Sequence, residues 1–511
     1  MVFVTLVYIF LSLVGIIFFY IKWKQSYWSR RGVDYIEPDF FFGNTTAITK
    51  QTQHRSKVFE SFYRHFKSKG QKFGGIYDFF SPVLILTDQE LIRNVLQKDF
   101  SHFVNHVGYI NEDADAITGN LFNLKNEKWK NIRAKLTPTF TTGKIKMMFD
   151  TMTQCIKGLE KLLDQNAALN DPVDIKKYML LFTSDIIATV AFGLDVDSLK
   201  NPENDFRKHF ANVFKPSFKG LVKKFISENF PRWLLVAIKF RVTRKEAEDF
   251  FIKVIKDIVE HREKNNVYRK DFMHLLIQIK NTGETTDNEN LNSNSTIKHL
   301  SYREMAAQAI TFYVAGFETS TTTVCFALFE LALHSDIQNR LREEIQSVMK
   351  KYDNKITYDG IMEMEYLDMV LKESLRKNST ASRISRECNK DYPIPGTDVV
   401  IEQGIEVLIP VHGLHNDPDY FPEPDKFDPE RFNKENKKKI PPYAYLPFGE
   451  GPRNCIGLRF GKIQSMVGIV AIISRYKVTL NAKTQLPIKL TSNRVPTVEG
   501  GMWLNLEKLS N

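Results

Sequence analysis

An uncharged apolar run at the N-terminus constrains this chain most, because it suits neither a water-exposed surface nor a loop. Residues Val2 to Ile21, VFVTLVYIFLSLVGIIFFYI, contain no charged side chain. A helix of about 20 such residues crosses a bilayer. A cleaved signal peptide would instead have basic residues before a shorter apolar core and a small-residue cleavage site after it. The run therefore predicts a transmembrane anchor, with a buried core helix as the alternative.

The charges beside this run predict its orientation. Basic residues follow the run instead of preceding it: Lys22, Lys24, Arg30 and Arg31. Under the positive-inside rule these residues stay in the cytosol, together with everything C-terminal to them. The organisation expected is an anchor over residues 1–21, a basic linker or hinge over 22–43, and one large domain over 44–511.

Composition narrows the classes of function. The chain has 43% hydrophobic residues and a formal net charge of +11, which suits nucleic acid, an anionic membrane or an acidic protein partner. No nucleic-acid-binding motif accompanies the charge, so nucleic acid is not expected as a partner. Four cysteines are too few for a disulfide framework and too scattered for a zinc site, which favours a reducing compartment: Cys155, Cys325, Cys388 and Cys455.

Apolar periodicity indicates a mainly α protein with a minor β portion. The β-rich segment Gly74–Asp88 is broken at Ser81-Pro82 and predicts a hairpin. Thr87 and Glu90 follow with the spacing of a capping box, Tyr302–Ser335 predicts one long helix, and Tyr392–Pro410 predicts two strands around Gln403-Gly404.

One cysteine lies in a glycine-rich bed, PFGEGPRNCIGLRFG, from Pro447 to Gly461. Apolar residues then recur every three or four positions, which predicts a helix that begins beside Cys455. Free N–H groups at a helix N-terminus favour an anion and lower a thiol pKa. Gly449, Gly451 and Gly457 permit unusual backbone angles and the close approach of a flat ligand. A lone cysteine is otherwise usually an inert small hydrophobe.

The fixed positions of this bed are more specific than its composition. Phe448-x-x-Gly451-x-Arg453-x-Cys455-x-Gly457 resembles the haem-binding signature of the cytochrome P450 superfamily. The resemblance implies the cytochrome P450 fold, a haem b cofactor (iron protoporphyrin IX) and Cys455 as the thiolate ligand of its iron. It also implies that Arg453 pairs with a haem propionate and that Phe448 packs near the sulfur.

A second motif, AGFETS, interrupts the apolar pattern of the long helix from Ala315 to Ser320. Taken alone it indicates a helix with one polar face. The resemblance implies that Ala315 and Gly316 leave room for dioxygen over the haem. It further implies that Thr319 hydrogen-bonds the bound oxygen and that Glu318 helps to deliver protons. Relatives that only rearrange peroxides often lack this threonine.

Two further motifs match the family in positions that surround the haem. Glu373 and Arg376 in KESLR would otherwise be a surface ion pair. The resemblance implies a structural set completed by Arg431 of FDPERF. In EKWKNIRAKLTPTF, Trp129 and Arg133 could be a stem packed on an indole, whereas the resemblance implies that both reach a haem propionate.

The expected partners follow from the same resemblance. An electron donor, the NADPH-cytochrome P450 reductase, would dock its acidic side on a basic face, and cytochrome b5 is a further possible donor. The basic residues near the cysteine and on the Trp129 helix are candidates for this face, although they could simply be solvated: Lys125, Lys128, Lys130, Lys135, Arg459 and Lys462. The expected location is the endoplasmic reticulum membrane, on its cytosolic side.

Motifs in family order extend from Met1 to about Leu509, and both ends resemble insect microsomal members, a group rich in xenobiotic-metabolising enzymes. The sequence therefore predicts a monooxygenase that inserts one oxygen atom of O₂ into a small lipophilic substrate, either a xenobiotic or an endogenous lipid or hormone. A haem-thiolate isomerase or dehydratase and a catalytically silent lipophile binder are the alternatives.

Two stretches depart from the family pattern. The hinge region contains only Pro38, and Asn378-Ser379-Thr380 replaces a Tyr-Pro-Pro-like turn. Pocket residues are expected from five segments: Ser101–Leu121, Phe206–Phe230, Phe312–Thr319, Thr380–Arg386 and Arg494–Thr497.

Overall fold

Helices form most of the protein. The computed structural model describes residues 1–194, 196–202, 218–269, 271–282 and 299–509. The helices of the N-terminal half are α1 (Val2–Gln25), α2 (Thr46–Thr49), α3 (Arg55–Ser68), α4 (Gln89–Arg93), α5 (Asn126–Leu136), α6 (Thr142–Ala168), α7 (Ile175–Ile187), α8 (Phe218–Asn229) and α9 (Arg232–Ala237). Those of the C-terminal half are α10 (Lys245–Lys264), α11 (Phe272–Thr282), α12 (Tyr302–Leu333), α13 (Ser335–Lys351), α14 (Tyr358–Glu363), α15 (Glu365–Lys377), α16 (Val411–His415) and α17 (Leu458–Ile473).

Nine strands in the described residues form three small sheets. The strands are β1 (Phe73–Asp78), β2 (Ser81–Leu86), β3 (Val173–Asp174), β4 (Ile384–Glu387), β5 (Tyr392–Pro393), β6 (Val400–Ile401), β7 (Glu406–Ile409), β8 (Tyr476–Leu480) and β9 (Trp503–Lys508). The largest sheet has the order β1-β2-β7-β4, the second β3-β9-β8, and β5 pairs with β6. The predicted hairpin is β1–β2, which pairs antiparallel from Phe73–Leu86 to Asp78–Ser81. The mainly α class with a minor β portion is confirmed.

The N-terminal helix α1 is long and apolar enough to cross a membrane, and its apolar window is not buried in the domain. The helix does not end with the apolar run, because it continues to Gln25. The side-chain amide of Gln25 then donates to the carbonyls of Asp39 and Phe40, at 3.1 and 3.2 Å. Contacts with the domain therefore begin inside the last turn of the helix.

Residues 22–43, expected as a linker, pack against the domain. Trp28 is 1% exposed, and its indole N–H donates to the carbonyl of Ile76 at 3.0 Å. Its backbone N–H donates to the hydroxyl of Tyr77, also at 3.0 Å. A bridge between Tyr35 and Gly75 then adds this segment to the edge of the largest sheet.

Helix α12 organises the core. It begins with a capping box, in which Ser301 and Glu304 satisfy each other's backbone N–H groups. Its residues are buried from Met305 to Ile310 and again from Ser320 to Leu331. Helix α7 packs along one side of it and α17 along another. The long helix predicted for Tyr302–Ser335 thus forms the centre of the main hydrophobic cluster.

The capping box predicted at Thr87 and Glu90 is wrong by one residue. The N-cap of α4 is Asp88, whose carboxylate accepts the N–H of Leu91 at 3.0 Å. The Thr87 hydroxyl donates instead to the carbonyl of Gln71, 2.5 Å away. The connection between α3 and β1 thus provides the acceptor for the threonine, and the aspartate is left to cap the helix.

Candidate active site

A tight loop carries Cys455 to the start of α17. Gly449 and Gly451 have φ angles of +71° and +75°, in the left-handed region that favours glycine. A Cβ atom on Gly451 would lie 1.9 Å from the carbonyl oxygen of Leu96, so no other residue fits there. The N–H of Cys455 donates to the carbonyl of Phe448 at 2.9 Å and closes the loop. The helix itself begins at Leu458, slightly later than the sequence predicts.

The thiol of Cys455 borders an internal cavity. Its side chain is exposed, although dense protein surrounds it, so the accessible face cannot be at the outer surface. Burial raises the pKa of this thiol, while the backbone N–H of Gly457 and the charge of Arg133 act in the opposite direction. The predicted lowering of the thiol pKa is therefore wrong for Cys455 when no metal ion is bound to it. Loss of hydration raises the pKa by more than the backbone N–H and the arginine charge lower it.

Between its two buried stretches, helix α12 has residues with accessible surface. Ala315 is exposed in the middle of this otherwise buried helix, and Thr319 one turn later is half-buried. The hydroxyl of Thr319 donates to the carbonyl of Ala315 at 2.5 Å. Gly316 serves a different purpose, since its Cβ would lie 2.6 Å from the Cδ1 of Ile187 on α7. Ala315 thus faces open space, and Gly316 lets two helices approach.

Glu318 is a protonatable group next to Thr319. Burial raises the pKa of its carboxyl group, and the charges of Lys176 and Arg494 partly oppose that shift. A carboxyl group with a raised pKa can hold a proton closer to neutral pH and release it to a neighbour. The structure therefore brings a small residue, a hydroxyl and a protonatable acid to one short stretch of α12.

The two arginines expected near propionates have protein partners. Arg453 donates to the carbonyls of Val104 and Leu124, at 2.8 and 2.5 Å, and its guanidinium lies 4.1 Å from the ring of Trp129. Arg133 donates to the carbonyl and the side-chain oxygen of Asn454, both at 2.9 Å. Arg133 therefore clamps the residue just before Cys455, and Arg453 ties the cysteine loop to the segment before α5.

Sequence reasoning placed Arg386 only at the end of a pocket segment, and in the structure its one hydrogen bond to a described residue runs from Nη1 to the carbonyl of Ser385 at 2.9 Å. Its side chain is 1% exposed, and its Nε and Nη2 atoms have no hydrogen-bond acceptor. Burial lowers its pKa to about 10. The sequence could have indicated this arginine. Side chains alternate between the two faces of a strand, so a basic residue in a short strand such as β4 can point into the protein. A buried guanidinium with free N–H groups fits an anionic group of a bound cofactor.

These features fit a haem. A flat macrocycle with a central metal needs a side chain that binds the metal on one face and a small residue that leaves space on the other. Cys455 and Ala315 have accessible atoms inside the protein and suit these two roles. Its acidic side groups need buried cationic donors, and the free N–H groups of Arg386 supply them. A thiol is the donor type that suits iron in this setting.

The three residues expected as scaffold lie together. Glu373 and Arg376 are both fully buried and form two hydrogen bonds of 2.8 Å. The Nε atom of Arg431 lies 3.4 Å from the Glu373 carboxylate. Arg376 also donates to the carbonyls of His415 and Pro424, at 2.9 and 2.8 Å. This cluster joins α15 to the loops that lead toward the cysteine bed.

Most of the basic residues proposed for partner docking have partners within the chain. Lys125 pairs with Glu387, Lys128 with Glu112, and Lys462 with Asp368, while Lys135 is buried. Lys130 and Arg459 remain exposed. The basic face beside the cysteine is thus smaller than the sequence suggests.

Two other expectations concern the substrate pocket. Residues 206–217 of the segment Phe206–Phe230 lie outside the described residues. In the unusual segment after Arg376, the Asn378 amide donates to Glu330 at 3.0 Å and the Ser379 hydroxyl donates to the Ala381 carbonyl at 3.0 Å. These polar contacts replace the expected proline-rich turn.

Comparisons with known proteins agree with this geometry. The family model described as Cytochrome P450 matches residues 37–502. Probable cytochrome P450 6a14 of Drosophila melanogaster is 39% identical over 95% of this chain and 96% of its own length. Cytochrome P450 6A1 of Musca domestica is 36% identical over 97% and 96%. Cytochrome P450 9e2 of Blattella germanica is 37% identical over 96% and 95%.

Proposed function

Because the chain belongs to the cytochrome P450 family, and so is a haem-thiolate monooxygenase with redox partners and lipophilic substrates, we propose the finer reading that follows. The domain over 44–511 holds haem b, and the anchor over 1–21 with its basic segment over 22–43 places it on the cytosolic side of the endoplasmic reticulum. The substrate is a small lipophilic xenobiotic, or an endogenous lipid or hormone. The family assignment favours this reading over an isomerase, a dehydratase or a silent binder.

One observation carries the proposal for the site. The Cys455 thiol has accessible surface inside the protein, in a chain that also opens its central buried helix at Ala315. We infer that the Cys455 thiolate would hold the haem iron, with the Gly457 N–H and Arg133 stabilising its anionic form. Phe448, Gly449 and Gly457 shape the loop around it. Activation of dioxygen is the chemistry that bound haem supplies.

The remaining residues orient groups and handle protons. Arg386 has free N–H groups for a propionate, and Arg133, Arg453 and Trp129 hold the surrounding loops. On α12, Ala315 leaves space and Gly316 allows close packing. The Thr319 hydroxyl can donate into the space before Ala315, and the Glu318 carboxyl can replace the proton that it gives. The set Glu373, Arg376 and Arg431 has a structural role.

The proposed electron donor is the NADPH-cytochrome P450 reductase, possibly supplemented by cytochrome b5. Lys130 and Arg459 are the exposed cations that support docking near the cysteine loop, because an acidic protein surface is attracted to such a face. Five of the six basic residues first considered are paired or buried, since Lys130 also lies 4.0 Å from Glu127, so they contribute less to the attraction.

A spectrum tests the central assignment. The carbon monoxide difference spectrum of dithionite-reduced membranes should show the strongly red-shifted Soret band of a thiolate-ligated haem. Cys455→Ser should abolish that band, because serine provides no thiolate. Cys155→Ser, which alters a half-buried cysteine of α6, is the matched control and should retain it. An unchanged band in Cys455→Ser would refute the axial assignment.

A further inference from the structure

One hydroxyl on the central helix α12 lacks a hydrogen-bond partner. Other threonines of this helix each donate to the carbonyl four residues earlier, at 2.5 to 2.9 Å: Thr311, Thr319 and Thr323. Thr321 shares a hydrogen bond of 2.6 Å with Thr183 of α7. Thr322 differs from all of them. Its side chain is 1% exposed, and its Oγ1 atom has no hydrogen-bond partner among the residues that the structure describes.

The buried hydroxyl of Thr322 is unfavourable in this arrangement. Folding removes it from water, and no described protein group replaces the lost hydrogen bonds. A valine has nearly the same shape and would avoid this cost. A buried hydroxyl of this kind is explained when a partner reaches it in another state of the protein.

The carboxyl group of Glu318 is such a partner. Glu318 lies one turn before Thr322 on the same side of α12, and side chains with this spacing have Cβ atoms about 5–6 Å apart. A helical side chain leans over the turn that precedes it, so Thr322 leans toward Glu318. The side chain of Glu318 is half-buried, and its carboxyl makes no hydrogen bond or ion pair with a described residue. A rotation of the two side chains would therefore join them.

Charged groups from two other elements act on this carboxyl. Burial raises the pKa of Glu318, while the charges of Lys176 on α7 and of Arg494 between β8 and β9 partly oppose that rise. The Lys176 ammonium donates to the hydroxyl of Thr497. Within the part of the chain that the structure describes, neither cation gives Glu318 a hydrogen bond. An ionised Glu318 would therefore still need a donor, and Thr322 carries one that is free.

We propose that the Thr322 hydroxyl donates to the Glu318 carboxylate once that group has given up its proton, so that Thr322 is a positioning residue for proton supply. This inference rests on the proposed function. Glu318 passes its proton to the Thr319 hydroxyl oxygen as the Thr319 proton leaves for the space before Ala315. The carboxylate then turns to Thr322, and its next proton comes from solvent water. Hydrogen bonds to an ionised carboxylate are about twice as strong as neutral ones, so Thr322 favours release of the proton.

The ionisation of Glu318 tests the inference without any substrate. The infrared carboxyl band that is missing from Glu318→Gln is titrated against pH in the purified, full-length, haem-loaded protein. We expect Thr322→Val to lower the ionisation constant of Glu318 about tenfold, and so to raise its pKa, because the ionised form loses one charged hydrogen bond. Thr322→Ser retains the hydroxyl and should keep the wild-type pKa. Thr323→Val, at a hydroxyl that donates to the carbonyl of Thr319, is the matched control and should also keep it.

Contrary results would be clear. An unchanged pKa in Thr322→Val, or the same rise in Thr322→Val and Thr322→Ser, would overturn the inference. If Thr322→Val does not retain haem, Thr322→Ala removes the same hydroxyl and is titrated in its place, with the same expected rise. The carbon monoxide spectrum of the wild-type sample separates the two proposals, because a missing thiolate band refutes the proposed function. A normal band with no change in the pKa of Glu318 refutes only the role of Thr322.

Discussion

At the scale of single residues, the groups around the Cys455 thiol set its protonation. Burial raises the pKa of this thiol, and among the described residues the Gly457 N–H and the Arg133 guanidinium oppose that rise. A cysteine in this setting stays protonated until a cation is placed before it. The loop thus holds the sulfur in position, and the charge is stabilised mainly by the metal it would bind.

Thr319 is the residue at which coupling can be tested. Thr319→Ala removes the hydroxyl that donates to the carbonyl of the exposed Ala315, so proton delivery should fail and NADPH oxidation should produce peroxide instead of product. We expect the yield of product per NADPH to fall about tenfold or more. The measurement is product and hydrogen peroxide per NADPH in a reconstituted system with reductase.

The control lies one turn further along the same helix. Thr323 is 7% exposed and its hydroxyl donates to the Thr319 carbonyl at 2.9 Å, so it makes a similar helical bond away from the opening. Thr323→Ala should therefore retain coupling. Tight coupling in Thr319→Ala would contradict the proposed role and would leave proton delivery to another group.

At the scale of elements, the segment after α1 behaves as part of the domain. The apolar run predicts an anchor from its composition alone, and the protein forms a helix there that is long enough to cross a membrane. The same sequence says little about Trp28, which could equally stand at a membrane interface. Its burial against Ile76 and Tyr77 arises only because β1 passes beside it.

Truncation separates the anchor from this packed segment. A chain lacking residues 2–20 should keep the thermal stability of the full protein, since Ile21, Gln25 and Trp28 remain buried. A chain lacking residues 2–28 should be less stable by about 3–5 kcal/mol, as for the loss of a large buried aromatic side chain. Thermal denaturation of both truncated proteins in detergent is the measurement. Equal stability would show that residues 22–28 act as a free linker.

Across the whole molecule, buried histidines couple the fold to pH. His415 is fully buried, accepts the N–H of Leu446 at 2.8 Å and stacks on the ring of Tyr445 at 5.2 Å. Burial and the charge of Arg376 lower its pKa to about 3. The unfolded chain protonates this histidine below about pH 6.5 and the folded chain does not. Stability should therefore be full above that pH and should decrease as pH falls from about 6.5 towards 3.

Thermal denaturation between pH 7 and pH 5 checks this linkage. We expect His415→Asn to lower stability at neutral pH and to make its decline with acid shallower, by up to about 1.4 kcal/mol per pH unit. His261→Asn, at an exposed position on α10, should leave the decline unchanged. Parallel declines in wild type and His415→Asn would mean that other groups control acid stability.

The sequence alone determined the family, because the cysteine signature, the threonine motif and the Glu373–Arg376 spacing depend on local chemistry that few other folds require. It also determined the apolar N-terminal helix and the long central helix, since continuous apolar patterns set an environment without reference to distant residues. Local capping was not determined: Thr87 lost its predicted role to Asp88 because the carbonyl of Gln71, just before β1, supplied another acceptor.

Only the tertiary structure decided which charged groups have partners. Lys125 and Arg386 look alike in the sequence, yet one pairs with Glu387 and the other is buried with free N–H groups. The direction of the Cys455 pKa likewise depends on how much protein surrounds the thiol. Ion pairing and desolvation are set by the distances between residues far apart in the chain, and those distances exist only once the helices and sheets have packed.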